Sequence, residues 1–446
     1  MREPNFSFND LKKDENYLCN LLIELSQTPG PTRCIAKMST DDPRLDKKSD
    51  FPFFIKIKKI IDEINKIYFK NTKNKISLFQ EFGSIVLISS YPKVPSNKEI
   101  KKIPIVLASH GDEITYLLKK DLTHLLPIFN CQPYKKDDDE IIFMHSDVDI
   151  FGFFYENANE QGFGKIGFGK IKIRLKKNDK KENELIFNLV NVSFDSKKTE
   201  SRGLKEGDLI IQKYPFKLGK YDTAESIREN AQIKNNDEII IHTKAMDDRV
   251  GVLAHLYTMK ELNKNGIKAK AIILGDEEGI TKDVAWAKLT RPIFTKYCSP
   301  DDIIIICDGF DGKQLKEFIE KKGEYMDKAL IAPYRSEGRG AGDPGLFALF
   351  REKIISLCEK HGFNATTTTD YVSRTFDPKI MDDFPMICFI DWSNGPIENP
   401  IEIKRDNESI SLHNVCHIDE SVSIKQIINI IGTTFWTVWY FIKEKK

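Results

Sequence analysis

The stretch IPIVLASH (residues 103–110) decides how the rest of the chain is read. It is mostly apolar and too short for a buried helix, so it predicts a strand covered on both faces within a mostly parallel sheet. It ends on His110, and Gly111-Asp112-Glu113 follow. The same construction returns downstream, where AIILG (271–275) leads into Glu277-Glu278-Gly279 and IIIIC (303–307) leads into Asp308-Gly309. Helical stripes surround these runs. Leu18, Leu21, Leu22 and Leu25 form one, stopped by Pro29-Gly30-Pro31; Ile57, Ile60, Ile61 and Ile64 form another; Val250, Leu253, Ala254 and Tyr257 form a third. A strand at Ser84–Ile88 and a helix around Val284–Leu289 complete the alternation. The expected class is α/β, with a mixed, mostly parallel sheet flanked by helices.

Residues 119–244 differ in texture. Glycines and lysines punctuate apolar positions, as in FGKIGFGKIKI (163–173), and no long amphipathic helix is present. This predicts an inserted small β-barrel-like domain of short antiparallel strands. The remaining 1–118 and 245–446 would form one α/β domain. Apolar side chains of the insertion, Ile150, Phe151, Phe153, Phe154 and Phe168, are expected to seek a covering surface, either a second subunit or the chain's own α/β domain.

At 446 residues the chain exceeds what one core usually fills, and 40% hydrophobic residues can build such cores. A formal net charge of +1 provides no overall field for a polyanion, so nucleic acid is not an expected partner. The eight cysteines are scattered without a C-x-x-C pair, and the first thirty-two residues are charged and interrupted. Together these favour a reducing, cytoplasmic setting without a targeting segment. IINIIGTTFWTVWYFI (427–442) is shorter than the roughly 20 apolar residues of a membrane span and contains Asn429, Gly432 and three threonines. It predicts a buried terminal helix.

The polar groups at strand ends carry the chemistry. In open α/β sheets ligands bind beyond the carboxyl ends of the strands, where distant parts of the chain converge. Asp247-Asp248-Arg249, Glu277-Glu278 and Asp308 follow one another at about thirty residues, the length of one αβ unit with its loops, so their carboxylates can reach one rim. His110 joins them, with His413 or His417 from the end of the chain. Each has an ordinary explanation when taken singly: a satisfied strand-end histidine, a solvated Glu-Glu turn, an aspartate capping a helix. Ending several buried strands does not require all of them. Two histidines, two aspartates and a glutamate, with no thiolate, suit zinc, cobalt or manganese in a catalytic site. If one carboxylate bridges, each of two ions has three protein ligands and an open position. Asp112 is spaced to hold the second nitrogen of His110.

HGDEITYLL (110–118), IHTKAMDDRVGVLAHL (241–256), IILGDEEGI (272–280), IIIICDG (303–309) and CHIDESVSI (416–424), in this order, resemble the TET-type (tetrahedral) aminopeptidases, which include glutamyl and deblocking dinuclear metallo-aminopeptidases. VSFDSKKTESRGLKEGDLIIQK (192–213) resembles the segment that closes their inserted domain. The resemblance implies two divalent ions, zinc first, with cobalt or manganese also suited. His110, Asp247 and Asp308 would hold one ion, and Asp247, Glu278 and His417 the other, with a cis peptide between Asp247 and Asp248. Glu277 would act as general base on a metal-bridged water, with Asp112 supporting His110, to release amino-terminal residues from short peptides. Subunits would pair into dimers and build a dodecamer.

The sequence departs from this pattern in places. Arg374-Thr375-Phe376-Asp377-Pro378 stands where the family carries Gly-Thr-Asp-Ala, and His417 lacks the usual Ser-Pro after it, which leaves His413 in competition. GRGAGDPG (338–345) matches a glycine-rich family stretch only loosely. Two rivals stay open: an amidohydrolase, deacylase or carboxypeptidase of the wider dinuclear clan, and an inactive scaffold. A glycosidase fits poorly, because adjacent glutamates rarely flank a bond at the roughly 5–9.5 Å such enzymes need.

Overall fold

The computed structural model describes residues 3–32, 34, 36, 51–91, 93–113, 115–127, 141–157, 160–177, 183–213, 232–235, 238–276, 287–311, 327–332, 344–367, 387–394, 402–405, 408–411 and 420–444. The strand Ile105–His110 lies near the middle of a nine-stranded sheet, and all six of its residues are buried. The sheet runs Lys75–Glu81, Ser84–Tyr91, Lys270–Leu274, Ile105–His110, Ile303–Ile306, Ile387–Asn394, Ala329–Ala332 and Ala365–Thr367, with Gly309–Asp311 also pairing to Ile387–Asn394. The central neighbours are parallel, while Ser84–Tyr91 and Ala329–Ala332 join antiparallel. The carboxyl ends of Ile105–His110, Lys270–Leu274 and Ile303–Ile306 therefore share one rim.

Successive strand residues point to opposite faces, and the core divides accordingly. Ile105 and Leu107 join a large cluster with the helices Glu15–Gln27, Pro52–Tyr68, Met246–Lys264 and Ile424–Glu444. Val106 and Ala108 join a smaller one with Ile293, Phe294 and Tyr297 of the helix Ala287–Tyr297. The helix expected around Val284–Leu289 is thus described from Ala287 onward and continues to Tyr297; residues 277–286 lie outside the described set.

Between these halves the chain forms a closed barrel in the order Thr115–Leu118, His124–Pro127, Asn183–Phe194, Glu160–Lys177, Ile141–Asn157, Leu209–Gln212. The short strands read from the glycine and lysine pattern are corrected here: Ile141–Asn157 and Glu160–Lys177 are two long strands, and shifts of register bend the pair. Leu209–Gln212 closes the barrel by pairing with both Thr115–Leu118 and Ile141–Asn157, and just before it both terminal nitrogens of Arg202 donate to Asp208 at 2.8 and 2.6 Å. Of the two covering surfaces open to the barrel's apolar side chains, the chain's own helix-bearing half covers part. Ile150 and Phe151 are buried, and Phe151 packs with Phe163, Leu209 and Ile211 against Phe51, at the start of helix Pro52–Tyr68. Only Phe168 of that group is seen exposed, at 46%; the side chains of Phe153 and Phe154 lie outside the described residues.

The terminal helix Ile424–Glu444 is buried from Gln426 through Phe441, and among the described residues no helix is long and apolar enough to cross a membrane. Gly432 sits so close to the Phe363 ring that a Cβ there would stand 2.1–2.4 Å from three of its atoms. Gly432→Ala should therefore cost about 1–3 kcal/mol by overpacking. Urea unfolding checks this, and an unchanged midpoint would contradict the packing.

Candidate metal centre

His110 is the last residue of its strand, and Asp308 stands two residues beyond Ile306 on the adjacent parallel strand. Asp247 arrives from the start of helix Met246–Lys264. His110 Nε2 lies 3.1 Å from Asp247 Oδ1 and 3.8 Å from Asp308 Oδ1. One ligand atom from each of the three falls within 4.8 Å of the others. Asp112 Oδ1 is 3.3 Å from His110 Nδ1, the placement its spacing predicts, and both side chains are buried. These four residues meet at the rim of the sheet. Glu277, Glu278, His413, His417 and Asp377 lie outside the described residues.

The helix does not begin regularly. Ala245 is left-handed at φ 50°, Asp247 and Asp248 have non-helical backbone angles, and the Asp247–Asp248 peptide is cis, as the resemblance implies. The main-chain N–H of Asp247 donates to Glu420 Oε2 at 2.8 Å. Asp248 Oδ1 accepts from the Gly251 N–H at 2.8 Å and from the indole N–H of Trp392 at 3.3 Å.

A further buried layer supports the first. Glu113 accepts from the Gly30 N–H at 2.8 Å and pairs with Lys244 Nζ at 2.7 Å, and Lys244 also donates to the Gln212 carbonyl of the barrel at 2.6 Å. The Arg249 guanidinium lies 3.7 Å over the Phe53 ring and 3.9 Å from Glu113. Gly30 is needed because a Cβ would meet the Gly111 carbonyl at 2.7 Å and the Arg249 guanidinium as well. Sequence reasoning treats Pro29-Gly30-Pro31 only as a helix stop and leaves Lys244, Trp392 and Glu420 without a role. The available signal is polar residues beside the double aspartate, which gives no hint of long-range partners.

Burial and mutual repulsion shape the charges. The Asp308 carboxyl is pushed up to about 7, first by burial and then by the Asp247 carboxylate, with His110 pulling the other way. Burial likewise raises Asp248 and Glu420 well above the ordinary carboxylate range. Carboxylates concentrated beside the His110 imidazole, largely out of water, are poorly compensated without a cation. Two oxygen donors and a ring nitrogen suit a divalent ion of the zinc, cobalt or manganese type.

No family profile matches the sequence, and no curated protein matches it. Solved structures do. An aminopeptidase of the archaeon Desulfurococcus kamchatkensis covers 95% of this chain and 95% of its own, with a TM-score of 0.54 at 14% identity. A TET aminopeptidase from a marine-sediment archaeon of the Thaumarchaeota covers 95% and 96%, with a TM-score of 0.54 at 12% identity. A dodecamer of PhTET1 covers 94% and 98%, with a TM-score of 0.53 at 12% identity. The fold is that of aminopeptidases. The likeness extends over nearly the whole length of each of these structures.

Within this fold the charge pattern has a measurable consequence. Asp308 holds a proton up to about pH 7 that a cation must displace, so binding should release protons and weaken as pH falls. Calorimetric titration of metal-free protein with cobalt(II) should show affinity dropping by up to about tenfold per pH unit below about 7 and levelling above it. A flat affinity from about pH 5.5 to 8 would contradict the assignment.

Proposed function

We propose that the chain is a metal-dependent aminopeptidase that removes amino-terminal residues from short peptides. The observation that carries this reading is the meeting of His110, Asp247 and Asp308 within 4.8 Å, at the strand-end rim of a fold shared with solved aminopeptidases. Those three residues would hold one ion; Asp247, Glu278 and His417 would hold a second, by the resemblance. Zinc suits the set, as do cobalt and manganese. Bound divalent ions supply a Lewis acid for the peptide carbonyl and a nucleophilic water at neutral pH.

The chain's own residues do the remainder. Asp112 orients the His110 imidazole through Nδ1, and Glu420 holds the main chain of Asp247 in place. Glu277 is assigned the proton: it takes one from the attacking water and returns it to the leaving amine. Residues 1–118 and 245–446 form the catalytic domain in this reading, and 119–244 forms the insertion. Among its described residues the insertion is all β apart from the short helix Lys197–Arg202, which supports an aminopeptidase over the deacylases, whose insertion is an α+β lid.

Purified protein with and without added zinc or cobalt, assayed on matched peptides bearing free or acetylated amino termini, tests the reading. Metal-dependent release of the first residue from the free peptides alone is expected. Glu277→Gln should keep metal and fold while reducing turnover by at least about a hundredfold; cleavage of the acetylated series instead would establish the deacylase reading.

We also infer that the chain assembles with itself. The dodecameric structure of similar fold supports this, as do Leu122, Leu126 and Phe168, which leave the barrel exposed at 38%, 44% and 46%. Light scattering on metal-loaded protein should show at least a dimer; a single species at 51.4 kDa would sink the inference.

A further inference from the structure

We infer that Trp392 is a positioning residue of the metal centre, holding the Asp247-Asp248 turn and the Asp308 strand end in one fixed relation. This inference rests on the metal-site reading above. Trp392 is fully buried, and it touches both segments that bring carboxylates to the site. Its indole N–H donates to Asp248 Oδ1 at 3.3 Å, and its main-chain N–H donates to the Asp308 carbonyl at 3.1 Å. Its ring lies over Gly309, directly after Asp308: a Cβ at Gly309 would stand 2.7 Å from ring atom Cζ2, 3.0 Å from Cε2 and 3.2 Å from Asp247 Cγ. The register of the parallel pair places Gly309 opposite Trp392, so the contact is built into the sheet.

The arrangement answers a mechanical need. Asp247 and Asp308 belong to separate elements, a helix start and a strand end, and their carboxylates, one partly and one largely out of water, repel each other in the absence of a cation. A rigid indole hydrogen-bonded to one side and backbone-bonded to the other keeps them at ligating separation. Residues that orient ligands in this way typically account for about 10–100-fold in metal affinity. Among the described residues no other side chain donates to Asp248, whose remaining hydrogen bond comes from the main chain of Gly251.

Trp392→Phe keeps an aromatic ring and removes the N–H. The matched control is Trp436→Phe, the same change at another fully buried tryptophan, which stacks on His361 at 3.7 Å in the terminal helix. Gly309→Ala is the second variant: it retains the indole N–H and presses hardest on the ring, at 2.7 Å against 3.2 Å to Asp247 Cγ, so the ring is what must leave its seat. Each full-length protein is stripped with a chelator and titrated with cobalt(II) by calorimetry, and its melting midpoint is recorded. The expected result is a dissociation constant raised at least about tenfold in Trp392→Phe and in Gly309→Ala, with Trp436→Phe unchanged in affinity even where its midpoint falls. If Trp392→Phe fails to fold, Gly309→Ala decides. Wild-type affinity in the folded Trp392 and Gly309 variants, or an equal loss in Trp436→Phe, overturns the inference and leaves the metal site standing. A wild-type protein that binds no cobalt or zinc overturns both.

Discussion

Bringing like charges together out of water is the constraint around which this molecule is organised. Asp247, Asp248, Asp308 and Glu420 are all drawn into one region with the His110 imidazole, and burial makes Asp248, Asp308 and Glu420 costly to ionise. A chain bears such a cost where a function requires the groups to be there, because a hydrophobic replacement would otherwise serve stability better. The central parallel strands supply a rigid rim for His110 and Asp308, and the irregular start of helix Met246–Lys264 supplies Asp247. The hydrogen bonds to the Asp247 main chain and the Asp248 side chain then fix what the helix alone would leave free.

Buried charge also ties the barrel to the site. Lys244, three residues before Asp247, neutralises Glu113 and reaches the barrel strand through the Gln212 carbonyl. Glu113 in turn holds the Gly30 segment, and Thr32 Oγ1 donates to the Glu113 carbonyl at 3.0 Å. One buried ion pair therefore joins three parts of the chain: the end of the first long helix, the strand-end loop after His110, and the barrel. Phe51, Phe151 and Phe163 add an apolar contact between the barrel and helix Pro52–Tyr68. The barrel is seated on the sheet-bearing half by both polar and apolar contacts, so its position relative to the rim is determined.

Much of this was legible in the amino-acid order. Runs such as IPIVLAS and IIII can only be strands buried on both faces, because nothing in them alternates and nothing in them caps a helix. The strand-end positions of His110 and Asp308, and the Asp112 spacing, follow from the same runs. The parallel sheet, the β insertion and the terminal helix are consequences of hydrophobic pattern, which is local. Where the reading failed, it failed on questions of distance. Lysine-rich, glycine-spaced segments looked like short strands, yet pairing between Ile141–Asn157 and Glu160–Lys177 carries them through as long ones. Pattern also left open what covers Ile150 and Phe151, and only barrel closure and its seating against Phe51 decide it.

Sequence by itself determined which residue types stand at the strand ends, and with them the donor chemistry offered at the rim, because side-chain identity and a two-residue or four-residue period are properties of neighbouring positions. Only the tertiary structure decided which of those groups meet and what holds them. The 3.1 Å between His110 and Asp247 spans 137 residues of chain, and the hydrogen bond from Trp392 to Asp248 spans 144. Contacts at such separations depend on sheet order and register, which no local pattern encodes, and they are where the repulsion of buried carboxylates is restrained.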